Sequence, residues 1–141
     1  MKARPKLFAV IGAAAAHWVL GAIWFTVFQK PWLKGIGKTM VELSASGTPA
    51  SLGYVVAFIS NLAIAYVLGW LILATGPQTV GRGLQMAVLL WFGFVATTFA
   101  TSYVFEARSF EIFAISAGYP LAGMLLMGSI LGGWKAKAAQ A

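Results

Sequence analysis

The stretch FAVIGAAAAHWVLGAIWFTVF, residues 8–28, decides the fold because it is a long apolar run without a single charged residue. Three further runs share this property, at residues 52–75, 84–105 and 112–134. A helix needs about 20 apolar residues to cross a bilayer. Backbone hydrogen bonding inside lipid requires either helices or a closed barrel, and none of the runs alternates in polarity as barrel strands do. The sequence therefore predicts four transmembrane helices.

The composition of the whole chain agrees with a lipid-embedded protein. Hydrophobic residues make up 60% of the 141 residues and charged residues only 9%, whereas a soluble domain carries about 25% charged residues. A small soluble globule has too little interior to bury so much apolar surface. We therefore expect a single transmembrane domain over residues 1–141, an all-α integral membrane four-helix bundle whose main partner is the lipid bilayer.

The net charge of +7 does not indicate nucleic-acid binding, because the basic residues flank the apolar runs instead of clustering on one face. Flanking basic residues set the orientation of a membrane protein through the positive-inside rule. One predicted side carries Lys2, Arg4, Lys6, Arg82, Lys135 and Lys137, and the other carries Lys30, Lys34, Lys38 and Arg108. This imbalance predicts that both termini lie in the cytoplasm, and we expect a multi-pass protein of the inner (cytoplasmic) membrane.

The segment QKPWLKGIGKTMVEL, residues 29–43, follows the first run and is amphipathic. Apolar residues recur every four positions from Trp32 to Met40, and polar residues recur at the same interval from Lys34 to Glu42. This pattern predicts a short interfacial helix over residues 31–43 that lies in the headgroup plane. The alternative is an irregular loop that Trp32 anchors at the interface.

Small or polar residues at about four-residue spacing give each predicted span a face for close helix packing. These faces are Ala13, His17, Gly21 and Trp24 in the first span, Ala57, Asn61, Ala65 and Gly69 in the second, Gly93, Thr97 and Thr101 in the third, and Gly118, Ala122, Gly128 and Gly132 in the fourth. We expect one compact bundle. Gly128 and Gly132 either pack within it or form the contact of a homo-oligomer.

His17 is the only histidine of the chain, and its face is shared with Ala13 and Gly21. We therefore expect the imidazole to point into the bundle. It follows Phe8 by nine residues, which is about 14 Å along a helix and close to mid-membrane. An ionisable group at that depth suggests a functional site.

Three interpretations of His17 remain open. In the first, it makes a structural hydrogen bond to a polar residue of another helix, and the available partners are Asn61, Thr97, Thr98, Thr101 and Tyr119. In the second, it lines a polar site or pathway in the bundle, with Trp24, Asn61 and Tyr119. In the third, it is an axial ligand to a porphyrin, although a single histidine would require a dimer for six-coordinate haem.

Catalytic patterns are missing from the four runs. They contain no carboxylate, no cysteine, no nucleophile–base pair and no metal-ligand spacing. We therefore expect no enzymatic activity, no cofactor and no metal site. A candidate interfacial site in the connectors consists of Trp32, Glu106, Arg108 and Glu111, which can bind an ion or a lipid headgroup. The alternative is that these charges are simply solvated.

Two stretches carry a family resemblance. GAIWFTVFQKPWLKGIGK (residues 21–38) has a Gly-x-x-Trp-aromatic signature followed by a second Trp, and FEARSFEIFAISAGYPLAGMLLMGSILGGW (residues 105–134) has a Gly-Tyr pair and a Met-Gly-x-Ile-Leu-Gly-x-Trp end. Together they resemble the small bacterial membrane proteins grouped as domain of unknown function 1761. The resemblance implies four spans and no particular activity. The family-like positions are Trp24, Trp32, Glu106, Arg108, Gly118 and Tyr119.

Two hypotheses of function follow from these observations. The leading one is a non-enzymatic membrane protein that binds or passes a small solute or lipid through its bundle or through a homo-oligomer. The rival is a non-catalytic structural or accessory subunit of a larger membrane complex.

Overall fold

The computed structural model describes residues 4–135, which are mostly helical and contain no strand. The helices are α1 Leu7–Val27, α2 Gln29–Ile36, α3 Met40–Ser44, α4 Ala50–Thr75, α5 Val80–Leu90, α6 Thr97–Phe105 and α7 Phe110–Gly133. A π-helical segment, Trp91–Ala96, joins α5 to α6. Four helices are long and apolar enough to cross a membrane: α1, α4, the continuous Val80–Phe105 and α7. The predicted all-α four-helix fold is confirmed.

The predicted interfacial helix over residues 31–43 consists of two short helices instead of one. The first, α2, ends at Gly37, whose backbone is left-handed with φ at 67°. Glycine adopts this conformation at little cost and ends helices there. The second, α3, begins after Thr39, which forms a capping box with Glu42. Hydrogen bonds from Thr39 lower the pKa of the Glu42 carboxyl below its ordinary value.

The two ends of the bundle differ in what they contain. The end of α7 lies beside the connector 76–79, where Gln78 Nε2 donates to the carbonyl oxygens of Leu131 and Trp134 at 2.7 and 2.9 Å, and Pro5 lies against Gly69 of α4 at the same end. We call this the terminal end. The opposite end holds the connectors 28–49 and 106–109, and we call it the loop end.

Packing is concentrated in the terminal half of the bundle, around α7. This helix packs against α1, α4 and α5 and, at the loop end, against α2 and α6. The buried core consists of Ala9, Val10, Ala13, Ala14, Ala65, Leu68, Ile72, Ala87, Met124, Met127 and Leu131. In the loop half, α6 contains no buried residue, and neither do residues 50–60 of α4. The bundle is therefore tightly closed in one half and loosely packed in the other.

The closest helix contact joins α5 to α7 through glycine. A Cβ atom on Gly83 would lie 1.9 Å from the carbonyl oxygen of Gly128, and one on Gly132 would lie 2.2 Å from that of Thr79. The two backbones therefore touch directly, as small residues allow in membrane helices. Gly128 and Gly132 pack within the protomer, which resolves the choice between internal packing and an oligomer contact.

The packing face predicted for the third span is wrong. Gly93, Thr97 and Thr101 are exposed, and a Cβ atom on Gly93 would meet nothing within 4 Å. The buried face instead begins with Gly83 and Ala87, and partly buried bulky residues continue it at four-residue intervals: Trp91, Val95, Phe99 and Tyr103. The π-helical segment holds one more residue per hydrogen-bonded turn than an α-helix. Residues spaced four apart therefore stay on the same face of the span through this segment.

Candidate functional site

Three polar side chains meet near the midpoints of their helices: His17 from α1, Asn61 from α4 and Tyr119 from α7. We call them the polar cluster. His17 is 2% exposed and Asn61 is 4% exposed, so the prediction that the imidazole points into the bundle is confirmed. The cluster lies where the packed core of the terminal half ends.

In the contact between α1 and α7, the His17 ring lies against Gly123 and the Tyr119 ring lies against Gly21. A Cβ atom on Gly123 would lie 2.0 Å from His17 Nε2, and one on Gly21 would lie 2.7 Å from the Tyr119 hydroxyl. The rings of His17 and Tyr119 themselves are 4.7 Å apart between centroids. Because α1 and α7 run antiparallel, the ring of each helix faces the glycine of the other. We call this arrangement the ring–glycine contact.

Hydrogen bonding in the polar cluster is incomplete. The Tyr119 hydroxyl donates to the backbone oxygen of His17 at 3.5 Å, and the Asn61 side chain approaches the same hydroxyl. In the described part of the chain, the buried side-chain nitrogens or oxygens without a hydrogen-bond partner are His17 Nδ1, His17 Nε2 and Asn61 Nδ2. Buried polar groups are normally paired, and each unpaired one costs about 1–3 kcal/mol. The structural hydrogen bond proposed for the imidazole is therefore not formed.

The geometry also argues against hydrogen bonds from His17 to the threonines and against a porphyrin ligand. The candidate threonine partners are exposed, and Thr97 and Thr101 donate to carbonyl oxygens of their own helix at 2.9 and 3.0 Å. The imidazole is enclosed between α1 and Gly123 of α7, so a flat porphyrin has no space to approach Nε2. The polar-site interpretation stays a prediction.

Trp24 lies beside the polar cluster and supports α7. Its Nε1 donates to the Ile115 carbonyl at 3.1 Å, and Trp91 Nε1, from the π-helical segment, donates to the Ala117 carbonyl at 2.8 Å. Pro120 lacks an N–H group and cannot bond the carbonyl of Ser116, four residues earlier. The two indoles thus donate to the carbonyls on either side of Ser116, in the turn of α7 that Pro120 weakens. Sequence reasoning missed Trp91, although a proline inside a span signals a need for outside donors.

A second site lies at the loop end, where a cavity of about 460 Å³ opens between α2 and the connector before α7. It is lined by Pro31, Lys34, Gly35, Glu106, Ala107, Arg108, Ser109 and Glu111. The structure thus brings together three of the four residues predicted for the interfacial site. Trp32 does not line the cavity, because its ring packs edge-on against Phe25 at 5.5 Å between centroids.

The connector that forms one wall of this loop-end cavity is conformationally fixed. Ala107 is left-handed, with φ at 52°. Its N–H and that of Arg108 donate back to the carbonyls of Val104 and Tyr103 at 3.1 and 2.9 Å, which is a Schellman motif. The Arg108 guanidinium pairs with Glu106 through Nε and lies 5.3 Å from the Tyr103 ring centroid. In the range 4–135, no three His, Asp or Glu side chains come close enough to hold a metal ion.

Four helices long and apolar enough to cross a membrane, with a buried polar cluster near their midpoints and charged residues near their ends, are compatible with a multi-pass membrane protein. The model of the family described as "Protein of unknown function (DUF1761)" matches residues 8–132. The chain belongs to this family, which confirms the resemblance carried by its two tryptophan-containing stretches. Comparisons with curated proteins and with solved structures find no match.

Proposed function

We propose that this protein is a non-enzymatic membrane protein that binds a small, neutral, polar solute at His17, Asn61 and Tyr119. The observation that carries the proposal is the convergence of three unpartnered buried nitrogen atoms beside one tyrosine hydroxyl. Polar groups inside a membrane are costly and are retained mainly where they act. A bound solute would supply the missing partners, and because these nitrogens are enclosed it would enter only as the side chains around them move apart.

The chemistry of the solute follows from the atoms that the cluster offers. Asn61 Nδ2 is a donor, and a neutral imidazole presents one donor nitrogen and one acceptor nitrogen. The solute must therefore carry both hydrogen-bond acceptors and a donor. A charged solute would require an opposite charge nearby, and the central parts of the spans contain no Asp, Glu, Lys or Arg. A neutral hydrogen-bonding molecule is the class that fits.

Binding is better supported than passage across the membrane. Towards the terminal end, the cluster adjoins the fully packed core, including Ala13, Leu68 and Met124. Towards the loop end, α4 and α6 have no buried residues. The solute would reach the polar cluster through the loop half, whereas onward movement would require the core to open.

We also propose that the protein resides in the inner membrane, within the lipid bilayer, with its terminal end in the cytoplasm. The described chain carries four basic residues at each end: Arg4, Lys6, Arg82 and Lys135 at the terminal end, and Lys30, Lys34, Lys38 and Arg108 at the loop end. The predicted imbalance rests on Lys2 and Lys137, which lie outside the described residues. Reporter fusions at the carboxyl terminus that are active only in the cytoplasm test this orientation.

Native mass spectrometry from mild detergent tests the proposed binding and reads subunit number in the same spectrum. We expect the wild-type protein to retain a defined small-molecule mass, and the double variant His17→Leu/Asn61→Leu to lose it. The matched control is Thr97→Val/Thr101→Val, which removes two exposed span hydroxyls and should leave the mass unchanged. A bare wild-type chain, or retention of the mass by the cluster variant, would contradict the proposal.

The same spectrum addresses the alternative of an accessory subunit and the possibility of a homo-oligomer. A stoichiometric second polypeptide in place of a small molecule would favour the accessory role. The glycine surface that first motivated that role, Gly128 and Gly132, is occupied by α5 within the protomer, so the alternative has lost that support.

A further inference from the structure

The loop-end cavity is lined by equal numbers of opposite charges. Lys34 and Arg108 contribute the positive charges, and Glu106 and Glu111 contribute the negative ones. A lining of one sign favours a simple ion of the opposite sign. A lining of both signs favours a ligand that itself carries both charges.

The charges are only partly paired with one another. In the part of the chain that the structure describes, Arg108 and Glu106 form an ion pair, whereas Lys34 on α2 and Glu111 in the first turn of α7 form none. The Arg108 pair uses Nε, which leaves the terminal N–H groups of the guanidinium for another acceptor. The cavity therefore offers donors for an anionic group and a separate carboxylate for a cationic group.

The residues beside the cavity place it at the membrane surface. Phe105 is 88% exposed and Phe110 is 79% exposed, and they bracket the charged connector on both sides. An exposed apolar ring directly beside charged residues fits the boundary between the hydrocarbon core, which the ring can enter, and the headgroup layer, where charges are solvated. The volume of about 460 Å³ is in the range of small-molecule sites. Lipid headgroups lie at the same depth in the membrane as this cavity, so a headgroup is the occupant that fits its position.

We propose that the loop-end cavity binds the headgroup of a phospholipid that carries both a phosphate and a primary ammonium. Lys34 and Arg108 receive the phosphate, and Glu111 accepts hydrogen bonds from the ammonium. A purely anionic headgroup would leave the Glu111 carboxylate facing it without a partner, and a quaternary ammonium cannot donate to that carboxylate. This site involves none of the residues of the polar cluster and does not rest on the proposed solute binding.

The test compares lipids that differ in headgroup charge. The full chain in detergent is titrated with short-chain phosphatidylethanolamine, phosphatidylglycerol and phosphatidylcholine, and bound lipid is counted by native mass spectrometry. We expect phosphatidylethanolamine to bind about tenfold more tightly than the other two, the value of one charge-assisted hydrogen bond. Equal or tighter binding of phosphatidylglycerol would overturn the proposal.

Three variants assign the roles of the charges. Glu111→Gln should abolish the preference for phosphatidylethanolamine over phosphatidylglycerol, and Lys34→Gln should weaken both lipids. The matched control Lys30→Gln removes the same charge from α2 at a position that does not line the cavity, and it should change neither affinity. Circular dichroism confirms folding, which is expected because all three side chains are exposed. If Glu111→Gln and Lys34→Gln both behave like the control, the proposal is wrong.

A fourth titration separates a lipid from a soluble ligand of the same chemistry. Free phosphoethanolamine carries the same two charges without acyl chains. We expect it to bind at least tenfold more weakly than the lipid, because it lacks the apolar contacts with the exposed aromatic residues. Equal affinity of the two would overturn the assignment to a lipid headgroup.

Discussion

The two contacts that α7 makes with α5 and with α1 both depend on glycine, but they use it differently. At Gly128 the missing side chain lets the backbone of α5 touch that of α7, whereas at Gly123 it leaves room for the imidazole of His17. The first contact has backbone atoms on both sides and cannot adjust. The second has the end of a side chain on one side and contains two unpaired polar atoms, His17 Nδ1 and Nε2. Close packing and a polar site are thus built from the same residue type five positions apart on one helix.

The largest loss of stability is expected when a methyl group is added at the contact between α7 and α5. In Gly128→Ala the new Cβ atom would lie 2.4 Å from the Gly83 carbonyl oxygen, so the two helices must separate. We expect the free energy of unfolding, measured by denaturant titration in mixed micelles, to fall by about 3 kcal/mol. The matched control is Gly93→Ala on the exposed face, which should change stability by less than about 0.5 kcal/mol. Equal effects of the two substitutions would show that α5 and α7 do not touch.

A smaller loss, and one that can be rescued, is expected at the ring–glycine contact. In Gly123→Ala the new Cβ atom would lie 2.0 Å from His17 Nε2, and we expect a loss of about 2 kcal/mol. In a His17→Ala background the same substitution should cost less than about 0.5 kcal/mol, because the clashing ring is gone. A double-mutant cycle measures this coupling. If the loss persists without the imidazole, the imidazole does not occupy the space beside Gly123.

Removal of the Asn61 amide should have the opposite effect and stabilise the bundle. Asn61→Leu replaces a buried amide whose Nδ2 has no hydrogen-bond partner by an apolar side chain of similar size. In solute-free detergent we expect a gain of about 1 kcal/mol in the free energy of unfolding. Under the proposed function the same variant loses the bound solute. A loss of stability instead would mean that the Asn61 amide is fully hydrogen-bonded in the native protein.

The smallest expected effect on stability concerns Ala107, whose backbone conformation would suit glycine better than alanine. Ala107 and Gly37 both adopt the left-handed conformation after a helix, at the loop end. Ala107→Gly should stabilise the protein by about 0.5–1 kcal/mol, because glycine adopts this conformation without strain. The control Ala114→Gly, inside α7, should destabilise it by a similar amount. Thermal unfolding in detergent distinguishes the two signs, and a loss of stability at residue 107 would contradict the assigned conformation.

The four spans were predictable because charge-free runs of this length leave the backbone few alternatives. The inward direction of His17 followed from its small neighbours Ala13 and Gly21. Its partner Gly123 did not, since pairing two faces requires knowing which helices are adjacent. A signal was nevertheless present: His17 precedes Gly21 by four residues, and Tyr119 precedes Gly123 by four. On antiparallel helices these two spacings match.

The errors of prediction have local physical causes. The third span was assigned the small face of Gly93 and Thr97, but its bulky residues from Trp91 onwards face α7, because the inner surface there has room for large side chains in the loosely packed half. The prediction of a single interfacial helix was wrong because the left-handed backbone of Gly37 ends α2. The left-handed Ala107 had no signal at all, since alanine usually favours helices.

The central position of α7 has a consequence for how the protein is made. Helices are synthesised in order, and α7 is the last of the four spans, yet it forms the contacts with α1, α4 and α5 that close the bundle. Before it is inserted, the main contacts among the first three spans are those of α4 with α1 and α5. During that interval the glycine backbone of α5 and the imidazole of His17 lack the α7 surface against which they pack. Assembly is therefore completed by a single late event, and a nascent chain stalled before residue 110 would be an open intermediate that quality-control proteases can recognise.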